Sequence, residues 1–171
     1  MVDLTLAWFG LGATAVLLCC SAFFSSAETA IFTLPMAWID DQAATNEPRA
    51  SALKALRDDP HRLLVTVLVG NNVVNVALSS IVTVVFVTYL PTGIAVTAAT
   101  VAVSVVVLVF GEIVPKSYGL GNAQRWAMTV ARPVSLVERS LSPLVTVFDI
   151  VTGWISDRLG GTTDIEKPYV D

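Results

Sequence analysis

Three long apolar runs organise the chain. The first covers residues 4–24 and carries no charge between Asp3 and Glu28. The second covers residues 63–89 and carries none at all. The third covers about residues 94–114 and carries one, Glu112. Crossing the hydrocarbon core of a bilayer takes roughly 20 apolar residues in a helix, and each run is long enough. β-branched residues dominate the second and third runs, which in water is a strand signature. In hydrocarbon every backbone N–H and C=O must be satisfied within the segment, and that requirement selects helix. The pattern predicts an all-α membrane protein with three transmembrane helices, at about 4–34, 61–90 and 93–115. The sequence YLPTG (89–93) has the proline and glycine of a tight turn between the second and third.

Polar segments lie between and after these runs. In NEPRASALKALRDDP (46–60), Glu47 and Pro48 suit the first turn of a short helix that Pro60 ends. After Pro133, Val137, Leu141, Leu144, Phe148, Val151, Ile155 and Leu159 recur every three or four positions. That spacing predicts amphipathic juxtamembrane helices over about 119–159, lying on the membrane surface and broken near Pro143. A fourth span is the rival reading of this region. Glu138, Arg139, Asp149 and Asp157, within or beside it, argue against insertion. Residues 161–171 are polar and read as a linker toward a further cytosolic domain, leaving 1–160 as the transmembrane domain.

The distribution of charge adds an orientation. Arg49, Lys54, Arg57 and Arg62 fall between the first and second runs; Lys116, Arg125, Arg132, Arg139, Arg158 and Lys167 fall after the third. With three crossings all ten share one side, which the positive-inside bias makes cytoplasmic. The N-terminus is then outside and the juxtamembrane helices are cytosolic. No Lys or Arg precedes Arg49, so the first run lacks the basic flank of a secretory signal. Over its 171 residues the chain is 54% hydrophobic and only 14% charged, against about 25% charged in soluble domains. Cys19 and Cys20 are adjacent and suggest no disulfide framework. No basic cluster with interleaved aromatics points to nucleic acid. The single histidine, His61, lies beside Pro60 and Arg62 at a span edge, and no catalytic set can be built without it. An enzyme is therefore not expected.

Polar side chains inside the spans need a reason, because they are costly there. Glu112 is the sharpest case. It can form a structural ion pair with Lys116 one turn along, or stay protonated against a neighbouring helix, or bind an ion. Helix rise places Glu112 about 27 Å below the outer end of its span, and Ser21 and Ser25 about 26 and 32 Å below the outer end of theirs. Asn72 and Asn75 lie about 14 and 18 Å up from the inner end of the second span. Ser21 and Ser25 share one helix face, and Asn72, Asn75 and Ser79 share another. Serine hydroxyls in membrane helices commonly bond backbone, and asparagines commonly glue helices together. As a set, however, these are hard oxygen donors, which suit Mg²⁺, Ca²⁺ or Na⁺ rather than zinc or copper. Pro115 lacks an N–H and clashes with the carbonyl of Gly111, which frees that oxygen beside Glu112.

Three blocks of residues carry a family resemblance: SAFFSSAETAIFTL (21–34), GNNVVNVALSS (70–80) and GEIVPKSYGLGNAQRWA (111–127). In this order and spacing they resemble the transmembrane domain of the CNNM/CorC magnesium transporters. The resemblance implies a homodimer embedded in membrane lipid, multi-pass in the plasma membrane. It implies Mg²⁺ export coupled to Na⁺ entry through an inward-facing intramembrane site. Carried over, it makes Ser21, Ser25, Asn72 and Glu112 the metal ligands. Gly111, Asn75, Pro115 and Lys116 follow as second-rank ligands or gating residues. It also implies nucleotide-binding CBS domains beyond the linker, which this sequence does not include. A non-transporting scaffold or ion sensor, or a cation channel, remains the alternative.

Overall fold

The computed structural model describes residues 2–159. The predicted linker at 161–171 lies outside the described residues. Among the described residues there is no strand. Seven α-helices follow one another: α1 (Val2–Thr33), α2 (Met36–Ala43), α3 (Pro48–Asp58), α4 (Pro60–Tyr89), α5 (Thr92–Val106), α6 (Val114–Gly121) and α7 (Ala123–Leu159). A π-helical segment, Val107–Ile113, joins α5 to α6. Three stretches are long and apolar enough to cross a membrane: Ala7–Thr33, Pro60–Tyr89 and Thr92–Gly121. They match the three predicted spans, and α7 is not among them.

The chain divides into two compact units. The first combines α1 as far as Ser26, α4 from Asn71, α5, the π segment and α6 as far as Tyr118. Its apolar side chains are largely exposed in the isolated chain, Trp8, Phe9, Val76 and Val101 among them. Lipid is the solvent such a surface requires. Helix association in lipid relies on close backbone approach and small residues. Gly10 of α1 supplies one such contact, since a methyl group there would collide with the Val85 side chain of α4. Ala95, Ala99 and Val103 supply a buried stripe along α5 at four-residue spacing. Several hydroxyls on these helices are satisfied locally, as when Thr100 Oγ1 donates to the Val96 carbonyl at 2.8 Å.

The second unit contains Ala27–Gly70 and the chain from Gly119 onward. Its core is built from Ile31, Ile39, Leu53, Leu56, Leu63, Val130 and Val134, all nearly inaccessible. Burying each such side chain is worth about 1.5–3 kcal/mol. Asn46, with φ of 59°, makes the left-handed turn between α2 and α3, a conformation asparagine tolerates. Asp59 caps α4: its Oδ1 accepts the Arg62 N–H at 3.0 Å, and Pro60 occupies the first helical position. The Arg62 side chain ties α4 to α7, pairing with Glu138 and donating to Ser142 Oγ at 2.7 Å. Val65 and Val69 of α4 pack with Val145 and Leu141 of α7 beside that tie.

Two features differ from the sequence expectation. The segment Met36–Ala43 is a helix that the polar pattern did not announce. Helix α7 also runs unbroken through Pro133 and Pro143, where a break near Pro143 was expected. Both prolines are exposed, and the carbonyls whose partners they remove, at Thr129 and Arg139, belong to exposed residues as well. Those carbonyls can turn to solvent, so the helix continues past the lost bonds.

Candidate functional site in the membrane-spanning unit

The site grows from three local features of the first unit. In α1, Ser21 and Ser25 lie one turn apart and are almost fully buried. In α4, Asn71, Asn72 and Asn75 follow the apolar run Leu63–Gly70, which only Thr66 interrupts. The third feature is the π segment with Gly111 and Glu112. Its origin lies in Pro115, which has no N–H to offer the Gly111 carbonyl and whose ring presses on it. Widening the preceding turn relieves that pressure, and the Val114 N–H accordingly donates back five residues, to the Val109 carbonyl. Single π turns inside helices are frequent at functional sites.

A chain of hydrogen bonds links the three elements. Ser21 Oγ donates to Asn71 Oδ1 at 3.1 Å. Asn71 Nδ2 in turn donates to Glu112 Oε1 at 3.5 Å. Gly111 closes the arrangement by packing directly on α1, for a Cβ there would lie 2.8 Å from Ser21 Oγ. Ser21, Asn71, Gly111 and Glu112 thus form one polar cluster. Asn71 satisfies both neighbours at once, because an amide carries an acceptor and donors on the same group.

The sequence-predicted residues fall variously around this cluster. Ser25 is buried one turn from Ser21. Asn72 is exposed, about 100° around the helix from its neighbour Asn71. Asn75 is partly buried one turn from Asn71, and its Oδ1 is inaccessible with no hydrogen-bond donor. Pro115 is buried, and Lys116 is partly buried one turn from Glu112. Sequence periodicity does not single out Asn71, which makes both bonds of the cluster. The stripes Asn71–Asn75–Ser79 and Asn72–Asn75–Ser79 both have helical spacing, so periodicity cannot choose between the two asparagines.

The donor set defines the chemistry. Among the described residues no three or more His, Cys, Asp or Glu side chains gather into a metal cluster. The cluster offers one carboxylate, an amide and the Ser21 hydroxyl, so hard neutral oxygens surround a single negative charge. Such a set suits a hard cation held weakly enough to leave. The Ser21–Asn71–Glu112 chain keeps those groups mutually satisfied. An arriving cation would compete for the same lone pairs, and rotation of the Ser21 hydroxyl proton would free an oxygen for it.

The chain is similar to known membrane proteins. The family model described as CNNM, Cyclin M transmembrane N-terminal domain, matches residues 12–171. A chloroplastic DUF21 domain-containing protein of Arabidopsis thaliana is 40% identical over 156 residues, which is 91% of this chain and 23% of that protein. A UPF0053 inner membrane protein of Escherichia coli (strain K12) is 32% identical over 146 residues, 85% of this chain and 34% of that protein. The chain thus spans about a quarter of the length of the Arabidopsis relative and a third of the bacterial one. Three apolar helices and a match over nearly the whole chain make this a multi-pass membrane domain, and the chain belongs to the Cyclin M transmembrane N-terminal domain family.

Proposed function

We propose that this domain carries Mg²⁺ across the plasma membrane, exporting it against Na⁺ entry from an inward-facing site, as one subunit of a homodimer. The observation that carries this reading is the bond chain Ser21–Asn71–Glu112, which joins hard oxygens of three membrane-length helices around one carboxylate. Asn71 joins Ser21, Ser25 and Glu112 as a ligand in this proposal, with the Gly111 carbonyl and Asn75 as further donors. Mg²⁺ sheds water reluctantly and prefers six oxygens. A site with one carboxylate leaves the ion partly hydrated and half neutralised, which favours release over storage. Cytosolic domains beyond residue 171, of the nucleotide-binding CBS type, would regulate the transport.

The test is Mg²⁺ flux from proteoliposomes with and without an opposing Na⁺ gradient. Saturable flux that collapses when the gradient is removed supports coupled export. Ohmic single-channel currents would instead make the domain a cation channel. No flux in either condition, with the protein folded and inserted, points to a scaffold or sensor.

A further inference from the structure

Arg57 stands apart from the site above, in the second unit. It lies in the last turn of α3 and is only 7% exposed. Its Nε and Nη1 are both inaccessible and have no hydrogen-bond partner. The guanidinium face is covered by the ring of Phe32, with Cζ 5.2 Å from the ring centroid. The ring attracts the cation but accepts neither of those N–H groups in plane. Asp40 and Asp58 are taken by Lys54, and Asp59 Oδ1 accepts the Arg62 N–H. A guanidinium stays protonated throughout the accessible pH range. A buried charge with unmatched donors is among the costliest arrangements in a protein. A lysine could shed its proton in such a place, whereas an arginine needs an anion.

We infer that Arg57 is the recognition point for a phosphate oxyanion at the base of the membrane-spanning helices. Phosphate offers several strong acceptors to the planar fork of an arginine, and the pairing is charge-assisted. Binding requires the Arg57 head to turn from under Phe32 toward the phosphate. The sequence puts α3 on the side that carries all the basic residues, so two sources meet the chemistry there. One is the headgroup of an anionic lipid in the adjacent leaflet, and the other is free phosphate in solution. The inference does not depend on what the first unit transports.

The experiment reads thermal stability of the protein in detergent and in nanodiscs, at constant ionic strength. Inorganic phosphate replaces chloride in the detergent arm; phosphatidylglycerol replaces part of the phosphatidylcholine in the nanodisc arm. Wild-type protein should melt at a higher temperature in at least one arm, and Arg57→Leu should lose that increment. A gain in the detergent arm assigns free phosphate, and a gain confined to the nanodisc arm assigns the lipid headgroup. Arg57→Lys keeps a charge without the fork and should retain less than half of the shift. If wild type gains no more from phosphate or phosphatidylglycerol than from chloride or phosphatidylcholine, the inference is overturned, whether or not Arg57→Leu folds. Equal gains in wild type and Arg57→Leu overturn it as well.

Discussion

Glu112 accepts from Asn71, and Asn71 accepts from Ser21, so each substitution along this chain has its own signature. Glu112→Gln keeps an oxygen in place but removes the only charge of the cluster. Interactions with a charged group are worth about 1.5–3 kcal/mol, so apparent Mg²⁺ affinity should fall by roughly 10–150-fold in a flux titration. Glu112→Ala should abolish flux while leaving a folded protein by size-exclusion chromatography; wild-type flux from it would remove Glu112 from the site. Asn71→Leu orphans the Ser21 hydroxyl and the Glu112 carboxylate together, and should cost about 1–3 kcal/mol of stability as well as transport. Asn72→Leu changes an exposed position and should lie within about 0.5 kcal/mol of wild type. Measuring flux in this pair decides which asparagine serves the ion: retained transport in Asn71→Leu with loss in Asn72→Leu would reverse the structural choice. Gly111→Ala tests the packing. Alanine is the better helix former by about 1 kcal/mol, yet its methyl would meet Ser21 Oγ at 2.8 Å. Overpacking of that kind costs about 1–3 kcal/mol, so the net effect should be neutral to destabilising, with flux reduced because Ser21 must move.

Each element answers to a different part of the sequence. Helices α2 and α3 are held by Lys54, whose Nζ lies 2.7 Å from Asp40 and 3.2 Å from Asp58. The hydrogen bond to Asp40 first, and that to Asp58 next, raise the Lys54 pKa above its ordinary 10.5. A raised pKa in the folded state means that the stabilisation is complete below about pH 10.5 and fades as pH climbs through the higher folded value. Melting temperatures of wild type and Lys54→Met should therefore differ by a constant amount from pH 7 to 9.5 and converge above pH 10.5; a difference that widens with alkalinity would contradict the pairing. The three spans were legible because length and absence of charge are enough to define them. Helix α2 was not, since eight residues without a clear period carry little signal and its place depends on Ile39 entering the core. The continuity of α7 was hidden for another reason: proline marks a lost hydrogen bond, but only the fold shows that the residues carrying the freed carbonyls, Thr129 and Arg139, are exposed. The π segment could be anticipated only as a freed Gly111 carbonyl, because widening a turn is one of several ways to accommodate Pro115. That Asn71 bonds Ser21 and Glu112 depends on helix rotation, which tertiary packing sets.

At the scale of the whole molecule, the decisive quantity is where charge sits along the chain. All ten Lys and Arg residues fall in two stretches, 49–62 and 116–167, and none falls before the first span or between the second and third. The two crossings between these stretches, the second and third spans, return the chain to the same side, whereas an odd number between them would divide them. The positive-inside bias acts on short loops and residues near span ends, which describes Arg49, Lys54, Arg57 and Arg62 well. Reactive single cysteines test this directly in a background where Cys19 and Cys20 are alanine. Thr92→Cys, just after the turn at Leu90 and Pro91, should react with an impermeant thiol reagent added outside sealed, right-side-out vesicles. Asn46→Cys, in the turn between α2 and α3, should react only after the membrane is opened. The reverse pattern would invert the protein and with it the side that the proposed site at Ser21, Asn71 and Glu112 faces. Labelling of both from outside would require the chain between residues 46 and 92 to cross an even number of times, which the single uninterrupted helix Pro60–Tyr89 does not allow.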